Sequence, residues 1–277
     1  MTLAVSTGGH AAGPDLALVH GWGLGSGAWN GVADALGERF RVHRVSLPGY
    51  DGGADDGGDF ARTALTLADA FPPGTTLCGW SLGGMLALAA AAARPGHFAR
   101  LVLVGTTPKF VQAADWRCAQ VPDNHATFTA AVAKNAAATL TRFVMLFNQG
   151  DDKARAVVRA LTPLLADNAA GLPPAPVLAK GLDWLRDVDL RAAVPGIATP
   201  TLVVHGDGDP LMPFAAGEWL AASLPDARLE RFAGSAHAPF LADPGHFLRA
   251  LTTFCDAPSR TAVGNARASS PGTEEAR

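Results

Sequence analysis

The sequence predicts an α/β protein with a mostly parallel central sheet flanked by helices, and three observations carry that prediction. Short, continuous runs rich in Val and Leu recur along the chain, as in strands buried on both faces of a parallel sheet. Stretches with helical spacing separate them, which suits crossover connections. A G-x-S-x-G pattern falls between one run and one helical stretch, where a strand would turn sharply into a helix.

In chain order the runs are LALVH (16–20), FRVHRVSL (40–47), TTLCGW (75–80), ARLVLVGTT (99–107), PTLVVHG (200–206) and ARLERFAG (227–234). Between about 109 and 195 the strand signal disappears, and FTAAVAKNAAATLTRFVMLF (128–147) and DDKARAVVRALTPLLA (151–166) read as helices. The expected organisation is a core built from 1–108 and 196–256, a helical lid at 109–195 inserted over the sheet, and a tail at 257–277. The tail is polar with almost nothing to bury, so disorder is expected there. YDGGADDGGDF (50–60) is rich in Gly and Asp and is expected to be a mobile surface loop.

Composition removes several classes of function. At 277 residues, 48% hydrophobic and 17% charged, the chain can bury a sizeable core. No window approaches the roughly 18 uninterrupted apolar residues of a membrane span, so a soluble protein is expected. The N-terminus has no cationic start followed by an apolar stretch, which points to the cytoplasm. Cys78, Cys118 and Cys255 form no CxxC pair and read as reduced thiols, with no zinc site and no metal constellation. A net charge of -3 argues against a globally basic nucleic-acid binder.

The chemistry centres on Gly79-Trp80-Ser81-Leu82-Gly83. A turn of this kind strains its central residue, and flanking glycines remove the Cβ atoms that would collide. It projects the serine oxygen from the carboxyl edge of the sheet at the head of a helix. A serine hydroxyl is a weak nucleophile at neutral pH and needs a base oriented by a third group. In such sheets an acid and then a histidine follow the serine. Asp207 and Asp209 stand just after TLVVHG, and His237 lies in SAHAPF after ARLERF. Both aspartates remain candidates on spacing, and Asp209 before Pro210 could equally cap a turn. His20-Gly21-Trp22-Gly23 follows the first run. The backbone N–H groups of Trp22 and Leu82 are the expected donors to a tetrahedral oxyanion.

Through HGWG, LPGY, GWSLGG, HGDGDPLMP and SAHAPF the chain resembles the α/β-hydrolase superfamily. It is most similar to the group of pimeloyl-acyl-carrier-protein methyl ester esterases of biotin synthesis. HGWGLGSGAW, LCGWSLGGM, TTPKF followed by DW (106–116), TRF (141–143), GLDWLRDVDLR (181–191) and HAPF carry that closer likeness. The resemblance implies an α/β-hydrolase fold, with Ser81 as nucleophile, His237 as base and Asp209 as its partner. It implies a substrate pocket from Trp22, Leu82 and the segment Phe143, Val144, Met145, Leu146 and Phe147, although FVMLF could equally be plain helix core. No metal or organic cofactor is implied, and a monomer is expected. Ser46 stands where the group often has Asp, and GYDGGADDGG replaces its usual G-x-G-x-S. A carrier protein is the implied partner, and since such carriers are acidic, Arg142, Arg155 and Arg159 would form a docking strip. Asp151 lies one turn before Arg155 as a competing intrahelical partner. A broad small-ester carboxylesterase, a C–C bond hydrolase, a cofactor-free haloperoxidase or a non-catalytic receptor would share most of these features.

Overall fold

The computed structural model describes residues 3–166 and 172–258; the tail expected to be disordered lies outside them from 259 on. Among the described residues seven strands form one sheet: β1 (Ala4–Gly9), β2 (Asp15–Val19), β3 (Arg41–Ser46), β4 (Thr76–Trp80), β5 (Arg100–Val104), β6 (Thr201–Gly206) and β7 (Ala227–Phe232). Their order is β1-β3-β2-β4-β5-β6-β7, with β1 antiparallel to β3 and every other pairing parallel. Six strands coincide with the six apolar runs. The exception is β1, whose residues AVSTGG are all exposed; an edge strand held by backbone pairing and by the polar contacts Thr7–His43 and Ser6–Arg44 offers no apolar run to find.

Alternating residues of the central strands feed two separate cores. Ala17, Val19, Leu77, Leu101, Leu103 and Val203 face one side, covered by helices α2 (Phe60–Asp69) and α3 (Leu82–Ala93). Leu16, Leu18, Cys78, Val102, Val104 and Leu202 face the other, covered by α1 (Asn30–Gly37) and, after β7, the C-terminal helix at Pro244–Asp256. The period of two on strands covered on both faces is why the runs are continuously apolar. Each fully buried Leu or Val stabilises the sheet by about 1.5–3 kcal/mol relative to exposure.

Among the described residues four α-helices stand between β5 and β6: α4 (Pro122–Lys134), α5 (Ala136–Leu146), α6 (Ala154–Ala166) and α7 (Ala175–Asp187). The single helix expected over 128–147 is two. Asn135 breaks it with φ -158° and ψ 90°, its side chain accepting from the Ala138 N–H and capping α5. The insert also opens in extended form, with isolated bridges Lys109–Asp189 and Val111–Gln120.

The 50–60 loop is irregular, but the expectation of a loosely attached segment needs correcting for its first half. Tyr50 is buried, and its hydroxyl accepts from the Gly23 N–H at 3.0 Å. Asp51, at φ 51°, accepts from the Ser26 N–H and the Ser46 hydroxyl. Burial pushes the Asp51 pKa up, but those hydrogen bonds outweigh it and hold the carboxyl below its usual range. Asp51 thereby returns a carboxylate to the neighbourhood where Ser46 had replaced one.

Candidate active site

Ser81 links β4 to α3 at φ 58° and ψ -121°, a region that L residues rarely occupy. Three glycines make the turn possible. A Cβ on Gly79 would lie 2.3 Å from the Gly83 carbonyl oxygen, one on Gly83 2.5 Å from the carbonyl oxygens of Val19 and His20, and one on Gly84 2.6 Å from Thr106. The Thr106 hydroxyl also donates to the Ser81 carbonyl at 2.7 Å.

After β6 the chain turns so that the carboxylate of Asp209 accepts from the N–H groups of Leu211 and Met212 through Oδ1, at 2.8 and 2.9 Å. Its Oδ2 accepts from His237 Nδ1 at 2.7 Å. That bond fixes the proton on Nδ1 and leaves Nε2 as the imidazole's free lone pair. Asp207 points elsewhere, to Arg231 and the Gly234 N–H, and the Arg231 guanidinium holds its carboxyl below the usual range. The buried His205 donates through Nε2 to the Met212 carbonyl at 2.7 Å, which steadies the same turn, and burial pushes its pKa down.

His237 is tied to the elbow through Trp80, the residue before Ser81. The Trp80 indole N–H donates to the His237 carbonyl at 2.8 Å, and the two rings lie 5.5 Å apart. Gly105 makes room beneath the pair: a Cβ there would sit 2.8 Å from the His237 carbonyl oxygen and 3.5 Å from Asp209 Oδ2. Among the described residues the Ser81 hydroxyl makes no hydrogen bond, so the structure joins Asp209 to His237 but does not close a Ser81–His237 bond. Such bonds commonly tighten only when substrate is present.

The HGWG loop packs directly on the elbow, with a Cβ on Gly21 falling 3.0 Å from that of Ser81. His20 anchors the loop, accepting from the Leu47 N–H through Nε2 and donating to the Gly21 carbonyl through Nδ1. Accepting through Nε2 requires the neutral ring, the form that burial favours by lowering its pKa. Among the described residues the Trp22 and Leu82 N–H groups donate to no protein acceptor, whereas the next donor, Gly23 N–H, is taken by Tyr50.

Ser81 opens into a cavity of ≈ 210 Å³ under the insert. Trp22, Phe128 and Phe143 form a wall of mutually edge-on or tilted rings 5.2–5.5 Å apart, and Phe110, Leu146, Leu182, Leu185 and Leu211 extend the apolar lining. The Trp22 indole donates to the Leu178 carbonyl on α7 at 2.9 Å. Gly181, one turn on, admits the ring, for a Cβ there would lie 2.5 Å from Trp22 Cδ1. His125, also on the wall, donates to the Leu182 carbonyl, and burial keeps its pKa low.

Only part of the expected FVMLF pocket lines this cavity. Phe143 and Leu146 do. Val144 is packed in the core and Met145 is 52% exposed, because successive helical residues point in different directions. Phe147 is buried against Trp80 and His237, behind the cavity wall. Leu82 contributes backbone to the site, and its side chain is core. Phe110, Phe128, Leu182, Leu185 and Leu211 were not singled out from the sequence as lining, although TTPKF, GLDWL and DPLMP contain four of them. Arg142, Arg155 and Arg159 are all exposed. Asp151 does not pair with Arg155; its carboxylate is engaged by the N–H groups of Lys153 and Ala236.

A mostly parallel sheet with a strained serine elbow beside a histidine–aspartate pair defines the class of α/β-fold hydrolases. Residues 16–244 match the α/β hydrolase fold family. A pimeloyl-[acyl-carrier protein] methyl ester esterase of Aromatoleum aromaticum is 43% identical over 236 residues, covering 83% of this chain and 94% of the relative. A relative of the same name from Chromobacterium violaceum is 39% identical over 252 residues, covering 91% and 97%. The solved esterase EaEST from Exiguobacterium antarcticum has a TM-score of 0.79 over 92% of this chain and 96% of that one, at 23% identity, a likeness of fold. The chain belongs to the α/β-hydrolase family, in the group of these methyl ester esterases, and is a carboxylic ester hydrolase.

Proposed function

We propose that the chain hydrolyses the methyl ester of a pimeloyl group carried on acyl-carrier protein, a step of biotin biosynthesis, and releases methanol. The observation that carries the chemistry is the Asp209–His237 hydrogen bond of 2.7 Å, held beside the Ser81 elbow at the foot of an apolar cavity. The names of the relatives supply the substrate class.

In this reading Ser81 Oγ attacks the ester carbonyl carbon while His237 Nε2 takes its proton, and Asp209 stabilises the imidazolium. The unengaged N–H groups of Trp22 and Leu82 receive the oxyanion. Methanol leaves with the proton from His237. Water, deprotonated by the same nitrogen, then releases the carboxylate from Ser81. The aromatic wall desolvates the acyl chain without offering it a charge.

The cavity reaches the surface at Leu146, which also lines a groove with Met145, Arg155 and Arg159. Among the described residues Arg142, Arg155 and Arg159 have no ion-pair partner, which suits them to an acidic carrier. The purified protein should release one methanol for each carboxylate formed on the carrier-bound ester, and its gene should restore growth of a biotin auxotroph lacking this step. Turnover of small free esters alone would replace this reading with a broad carboxylesterase.

A further inference from the structure

The turn between α5 and α6 contains a buried carboxylate that the chemistry above does not use. Asp151 is 7% exposed, and no cationic side chain pairs with it among the described residues. Its two oxygens face in different directions. Oδ1 accepts from the Lys153 N–H at 2.7 Å and closes the turn into α6. Oδ2 accepts from the Ala236 N–H, also at 2.7 Å, and Ala236 immediately precedes His237.

Asp151 is the centre of a wider seam. On either side of it the Asp152 N–H donates to the Gly234 carbonyl at 2.8 Å, and the His237 N–H to the Phe147 carbonyl at 3.4 Å. The Phe147 ring stands edge-on to the His237 imidazole, centroids 5.5 Å apart. Gly234, at φ 68°, takes a backbone conformation that a side chain would strain, and a Cβ there would also fall 2.2 Å from Asp152 Oδ2. The loop that presents the histidine is thus bound to the insert along 234–237 as well as to β6 and β7.

We propose that Asp151 is a positioning residue for the catalytic base, fixing the backbone of the His237 loop to the insert so that Nε2 faces Ser81. The proposal rests on the reading of His237 as the base. A carboxylate suits the position because two N–H donors converge on it. An amide can accept from only one of them and must turn its own N–H₂ toward the other. A shift of about 1 Å in a reacting group is enough to slow the chemical step by about 10²-fold.

The test compares Asp151→Asn, Asp151→Glu and His237→Ala with the wild type on a small p-nitrophenyl ester, which needs no carrier. In Asp151→Asn, kcat is expected to fall by about 10–100-fold with KM nearly unchanged. The downfield His237 Nδ1–H proton resonance should move or broaden in the same variant. Asp151→Glu keeps the charge and both acceptors, and should recover part of the lost kcat. Counting active sites by the acylation burst restricts kcat to folded protein. An unchanged kcat and resonance in Asp151→Asn, beside an inactive His237→Ala, would overturn the positioning role while leaving the base in place. Full activity in His237→Ala would instead remove the base assignment itself. Loss of burst sites in proportion to activity, with normal kcat per site, would reduce Asp151 to a fold-stabilising residue and also overturn the proposal.

Discussion

The carboxyl edge of the sheet and the helical insert above it are built by opposite rules. At the sheet edge the groups that orient the site are committed: Asp209 accepts three hydrogen bonds, both nitrogens of His20 are bonded, and Gly79, Gly83 and Gly84 stand where a Cβ would collide. The insert leaves Met145 and Leu146 more than half exposed and its Arg142, Arg155 and Arg159 without ion-pair partners among the described residues. A fixed edge suits chemistry, which tolerates little displacement. An open surface suits the choice of substrate, which can vary while the chemistry does not.

Substitutions at the two regions should therefore differ in kind as well as size. The largest effect is expected for Ser81→Ala, a loss of kcat of at least about 10⁴-fold on every ester, with thermal melting close to that of the wild type. Retention of a tenth of the activity would move the chemistry away from the elbow. Asp209→Asn should also lower kcat by about 10⁴-fold, because the amide no longer fixes the histidine tautomer. Asp207→Asn, which loosens only the Arg231 and Gly234 contacts, should cost far less; the reverse ranking in steady-state kinetics would exchange the two roles.

Replacing Arg142, Arg155 and Arg159 together with Glu should weaken kcat/KM for the carrier-bound ester by about tenfold, with the penalty shrinking as salt rises. A small free ester should be hydrolysed as before, and equal losses on both substrates would return the arginines to a purely structural role. The smallest effect concerns acid stability of the insert. Hydrogen bonds from the Arg191 guanidinium hold the Asp189 carboxyl below its ordinary range. A depressed folded pKa contributes stability above the unfolded value of about 3.9 and loses it as pH falls through the lower folded value. Asp189→Asn should accordingly lower Tm slightly at neutral pH and converge with the wild type in acid. A Tm difference that persists unchanged in acid would exclude this linkage.

How much of this was legible in the sequence follows the same division. The central parallel strands β2, β4, β5 and β6 announce themselves because burial on both faces demands apolar runs, whereas β1 is exposed, pairs through backbone and polar side chains, and leaves no such mark. The serine, the histidine and the two aspartates stand at strand ends and can be read from spacing. Choosing Asp209 over Asp207 on the sequence required the family likeness, and in the structure the 2.7 Å bond to His237 separates them. In the insert, periodicity ran through Asn135, where a local cap overrides the helical pattern. A contiguous FVMLF pocket ignored the rotation of about 100° per helical residue. Asp151 looked like a partner for Arg155 along the chain, but the N–H that claims it comes from Ala236, 85 residues away, and only folding brings the two together.

The most direct measurement is acid quenching during turnover of the carrier-bound methyl ester, followed by intact-mass analysis and peptide mapping. The expected result is a transient species with the mass of the enzyme plus the acylated carrier less one methanol, attached at Ser81 and absent from Ser81→Ala. Methanol release at the wild-type rate by Ser81→Ala, with no adduct formed, would contradict nucleophilic catalysis by this serine.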